Sequence, residues 1–198
     1  MLLKIKYCLF IGLLLSSANF LSAQDENSEF NRITVGFSAV KDYLYSDLQY
    51  YWEPQVGFEG YFNTPFYFGN IQAGVTYCRY IGYTSQQPNF LSMIYYIQWE
   101  KEIYLSSPIS IAFGGRIGLM DMTFDETESI TEKTLLNESD LMVGIISKLN
   151  LNLPEGWTIT IHGSYMTVFT SKKMEMVYAG IGLTKTFLTP DWLKEFFE

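Results

Sequence analysis

His162, Gly163 and Ser164 set an imidazole and a hydroxyl two residues apart, a spacing that in an extended strand puts both side chains on one face. A base beside a hydroxyl nucleophile is the working pair of acyl-transfer chemistry, and a carboxylate completes it by orienting the imidazole. Glu175 lies a short way further along. A second group, Glu59, Glu100, Arg116, Lys148 and His162, falls on one and the same face of five different segments, with Gln55, Gln72, Gln98, Asn150 and Thr160 around it. Charges gathered in a narrow, desolvated space must be paired and hydrogen-bonded, or they are neutralised. Such a cluster reads as a salt-bridged plug or as a gated proton or ion path.

Other chemistries are not represented. No glycine-rich phosphate loop follows a strand and opens a helix, and no Cys/His pair has zinc spacing. Neither cofactor nor metal is expected. The formal net charge of −8 argues against a basic nucleic-acid-binding face. The loop Asp125 to Lys133 is acidic and rich in Ser and Thr, the composition of a solvated surface loop.

The elements that position these groups are strands. Apolar residues alternate with small or polar ones in eight stretches, about 31–41, 50–62, 66–80, 90–104, 109–124, 140–153, 157–169 and 175–187. In Leu141 to Leu153 every odd position except Ser147 is aliphatic, while the even ones end in Lys148, Asn150 and Asn152. Joins at Asn63-Thr64-Pro65, Ser106-Ser107-Pro108 and Pro154-Glu155-Gly156 are tight, and those between them are longer and more polar. Alternating short and long joins predict an all-β, eight-stranded antiparallel transmembrane β-barrel, with short turns in the periplasm and long loops outside.

Parity assigns Val35, Phe37, Phe58, Val75, Ile97, Ile117, Ile145, Ile161 and Ile181 to the lipid face, without a charge at mid-depth. Aromatic rims are expected at Tyr43, Tyr45, Tyr50, Tyr51, Trp52, Tyr80, Tyr83, Phe90 and Phe169 on one side and at Phe66, Tyr67, Tyr104 and Trp157 on the other. Arg79 and Lys185 have outward parity near opposite faces, where they can snorkel to head groups; Arg79 is placed to meet a lipopolysaccharide phosphate. A secreted β-sandwich or lipocalin-like barrel also alternates, but its water-facing side would be polar. Here the opposite parity carries Gly57, Gly74, Gly114, Gly118, Gly144, Gly180 and Gly182, which suits a narrow lumen. Eight strands leave room only for side chains, so the charged cluster is expected to act as a plug.

The ends agree with export. Lys4 and Lys6 precede an apolar run from Tyr7 to Leu15, and Leu21-Ser22-Ala23 closes a secretory signal peptide over residues 1–23, leaving 24–198 as the mature barrel. Cys78 is then the remaining cysteine, so no internal disulfide is expected. After Pro190, the residues Trp192, Leu193, Phe196 and Phe197 have the spacing of a short amphipathic helix on the periplasmic membrane face.

The final strand, Val177 to Phe187, resembles the closing signal of outer-membrane proteins, and residues 31–187 resemble the small eight-stranded barrels of OmpA- and OmpX-like architecture. That resemblance implies a Gram-negative outer membrane, with outer-membrane lipid, lipopolysaccharide and the barrel-assembly machinery as partners, and a non-enzymatic structural or surface-recognition role. His162 and Ser164, with Glu175 downstream, are similar to the His-x-Ser pair and glutamate of outer-membrane lipid A deacylases, which implies a hydrolase as the alternative. Tyr165 stands where that family has asparagine, His162 shares parity with Thr158 and Thr160, and Glu175 has the parity opposite to Tyr178.

Overall fold

A computed structural model describes residues 30–44, 47–84, 87–125, 137–170 and 174–190. The leader with its cleavage point, Tyr45, residues 126–136 of the acidic loop and the tail at 191–198 lie outside the described residues.

The alternating stretches form β1 (Arg32–Leu44), β2 (Trp52–Pro54), β3 (Val56–Phe66), β4 (Gly69–Gly82), β5 (Phe90–Ser106), β6 (Ile109–Phe124), β7 (Asn137–Asn152), β8 (Trp157–Val168) and β9 (Met174–Leu188). Each pairs antiparallel with its neighbour in the wall, and β9 closes on β1 through Ser38↔Gly182 and Asp42↔Tyr178. The short β2 is the outer end of β3. Pro54 pairs with Tyr80 and Phe58 with Tyr77, so three residues oppose two and a bulge at Gln55 divides one wall strand. Eight strands therefore close the barrel.

The register sets its girth. From Thr184 the paired residues run through Gly36, Tyr61, Gly74, Tyr96, Gly118, Met142 and Val168, and return to β9 at Met174, ten residues from the start. An eight-stranded barrel with such a stagger has strands tilted by about 35–45° and an interior that side chains fill.

One end carries the tight joins, at Tyr67-Phe68, Ser107-Pro108 and Pro154–Gly156. The first of these corrects the sequence reading: Asn63, Thr64 and Pro65 continue β3, pairing with Gln72, Ile71 and Asn70, and the chain reverses two residues later, where Tyr67 takes a left-handed φ of 48°.

The outer surface is apolar. Ile117, Ile145, Ile161 and Ile181 are each more than half exposed, and Val, Leu, Phe and Tyr at most other outward positions extend them into a belt. A water-soluble protein does not expose a patch of this extent, whereas a closed barrel with all backbone groups paired can do so in a bilayer. Exposed Tyr43, Tyr50, Tyr51, Tyr83 and Phe169 mark the loop end, and Tyr67, Phe68, Tyr104 and Trp157 the turn end. Tyr80 and Phe90 do not join that rim. They point inward and stack at 4.3 Å with an interplanar angle of 6°, as the parity Tyr80 shares with Cys78 and Thr76 requires, and Trp52 packs edge-on against Phe90 at 5.5 Å.

Candidate functional site

The lumen holds three layers. At the turn end Arg32, Thr34, Asn63, Glu102, Asn150 and Thr186 help to line a polar vestibule of about 110 Å³. There Glu102 accepts from Ser110 at 2.5 Å and from Asn150 at 3.3 Å.

Above it lies a charged waist whose ionisable groups come from five strands. Arg116 of β6 meets Glu59 of β3, Nη2 to Oε1, at 2.9 Å. Its Nε donates to Gln98 at 2.9 Å, and its guanidinium lies 3.6 Å from the centre of the Tyr96 ring. Lys148 of β7 meets Glu100 of β5 at 2.7 Å and donates to Gln72 at 2.6 Å. The two pairs are linked in both directions. Gln98 donates to Glu100 at 2.5 Å, and Gln72 donates to the Tyr96 hydroxyl at 2.7 Å. Two cations and two carboxylates thus balance inside a closed circuit of partners, which is the condition for keeping them charged in a low-dielectric interior.

His162 of β8 completes the waist. Its Nε2 lies 3.5 Å from Glu59, and its Nδ1 has no hydrogen-bond partner among the described residues. The glycines on this face make room for the large groups. A side chain at Gly180 would strike His162, and one at Gly74 would strike Tyr96.

The loop-end layer is apolar and rich in methionine. Met120, Met122, Met142, Met166, Met174 and Met176 are buried with Ile94, Val168, Phe90 and Tyr80. Within it Asp42 accepts from Tyr80 at 2.6 Å, and Tyr80 meets Tyr178 at 2.9 Å. Sequence reading missed this layer. The methionines have inward parity, but each strand supplies only one or two of them, and only closure brings the six together.

All five ionisable residues singled out from the sequence face the lumen, and the five polar positions grouped with them do so except Gln55, which sits in the bulge. His162 and Ser164 are both buried, inside the barrel and away from lipid. Glu175 stands on the opposite face of β9, in register with Thr167. The three groups of the lipid A deacylase resemblance are therefore not assembled at one site. No group of three or more His, Cys, Asp or Glu residues suited to a metal ion occurs among the described residues.

No protein-family profile matches the sequence, and none of the curated proteins does. Solved structures are similar. Neisserial surface protein A superposes with a TM-score of 0.58 at 13% identity, over 79% of this chain and 96% of that one. Ail, the attachment invasion locus protein of Yersinia pestis, in its complex with the heparin analogue sucrose octasulfate, gives 0.51 at 14% identity, over 79% and 97%. The chain has the fold of a small eight-stranded outer-membrane β-barrel. At this identity the similarity is one of architecture; together with this chain's own closed wall and apolar outer belt it places the barrel in an outer membrane.

Proposed function

We propose that this outer-membrane barrel is non-enzymatic, with a lumen that serves as its structural core and with loops and outer rim that act in surface recognition. The observation that carries the reading is the filled lumen: the charged waist and the methionine layer lie in series, so a solute entering the turn-end vestibule meets two closed layers. The deacylase alternative needs His162 and Ser164 at the lipid surface, and both are inside.

Long loops face outward in this reading, and both termini lie in the periplasm. Residues 1–23 are the export signal of a Gram-negative cell, and the barrel-assembly machinery takes the closing strand.

Two measurements on the folded protein test it. In planar bilayers it should give no stepwise conductance, and lipid A incubated with it should keep all its acyl chains. Regular conductance steps would overturn the plug. Acyl release that disappears with Ser164→Ala would make the protein a hydrolase.

A further inference from the structure

Two cations bracket one strand at the loop end of the lipid face. Lys41 of β1 is in register with Val56 of β3, and the bulge sets Val56 beside Arg79 of β4. All three side chains point outward. Two inter-strand spacings separate the cations, about 10 Å. Lys41 donates to the Pro54 carbonyl, which ties its ammonium over β2 and leaves two further donors. Arg79 is half exposed and pairs with Asp125 at 2.8 Å, an exposed contact that a more highly charged anion can displace. Of the carboxylates on this side, Asp125 and Glu53 stand on the loop side of the row, while Asp121 of β6 stands one outward step nearer the belt, three strands from Val56, and accepts from Ser139.

On the membrane side of the same row the belt opens into an apolar trough lined by Val35, Gly60, Phe62, Ala73, Val75 and Tyr95. A side chain at Gly60 would meet nothing within 4 Å. Gly60 is four residues along β3 from Val56, about 13 Å, a distance that one acyl chain spans.

We propose that this face holds one lipopolysaccharide molecule, with a lipid A phosphate between Lys41 and Arg79 and one acyl chain in the trough over Gly60 and Ala73. The cation pair selects an anion, the trough selects an acyl chain over a soluble anion, and the position at the loop end selects the outer leaflet. The inference rests on the membrane orientation proposed above and deepens it by naming a lipid and its site.

The mature protein, folded in uncharged detergent micelles, is titrated with lipid A and, in separate arms, with phosphatidylglycerol and with inorganic phosphate. Saturable binding of one lipid A per barrel is expected. Lys41→Ser with Arg79→Ser should weaken it by about thirtyfold, while Lys101→Ser with Lys185→Ser, at the turn end, should leave it unchanged. Gly60→Leu, which fills the trough, should also weaken lipid A binding. Heat-dependent gel mobility verifies that each variant is folded. Undiminished binding by the Lys41/Arg79 variant, or equal binding of either competitor, would overturn the site. Orientation is read independently by labelling Asp125→Cys, in a Cys78→Ser background, with an impermeant maleimide on intact cells. Labelling from outside supports the assignment, and labelling only after rupture overturns it whatever the micelles show.

Discussion

Arg116 and Glu59 are three strands apart around the wall, yet Nη2 and Oε1 meet at 2.9 Å with both side chains almost wholly buried. The pair therefore spans the lumen and ties β6 to β3 through space that backbone pairing cannot reach. Removing Arg116 alone, as Arg116→Met, leaves Glu59 buried without its main cation, which typically costs about 3–5 kcal/mol. Replacing both, with Glu59→Leu, should recover much of the loss. Unfolding in urea from lipid vesicles would measure the cycle, and strictly additive losses would refute the pairing.

The lipid face gives a sharper contrast. Ile145 is 65% exposed at the middle of β7, and Ile145→Arg should cost about 2–4 kcal/mol or block assembly. Asp125→Arg, in the loop-end zone, removes one exposed ion pair and should cost less than about 1 kcal/mol. Similar losses at both positions, read by the folded fraction recovered in vesicles, would mean that the belt is misplaced.

Two glycines separate wall packing from open surface. At Gly114 a side chain would run into the Trp99 carbonyl of the neighbouring strand, whereas at Gly60 it would meet nothing within 4 Å. Gly114→Ala should destabilise by about 1–3 kcal/mol, and Gly60→Ala should be close to neutral. Equal midpoints of denaturation for the two variants would contradict the packing described here.

Much of this architecture was legible in the chain because membrane barrels write their two faces in alternate positions. Parity alone sorted Ile117 from Arg116 and Ile161 from His162. It also carried information on Tyr80 and Phe90, which match the inward set, but their aromatic character suggested a rim. Asn63-Thr64-Pro65 has turn composition, yet β3 continues through it because Pro65 sits near the strand end, where few ladder bonds are at stake. Which cation meets which carboxylate was not readable, since Arg116–Glu59 and Lys148–Glu100 depend on the ten-residue stagger of the closed wall. The methionine layer depends on the same closure.

The most direct test of the central claim, a closed barrel with lipid outside and a filled lumen inside, is a spin-label scan of residues 143–149 in a Cys78→Ser background, reconstituted in lipid. Collision rates with oxygen and with a water-soluble nickel complex would be recorded at each position. The account predicts a period of two: labels at 143, 145, 147 and 149 open to oxygen, and those at 144, 146 and 148 shielded from both reagents. Loss of the alternation, or access of the nickel complex to 144, 146 and 148, would contradict it.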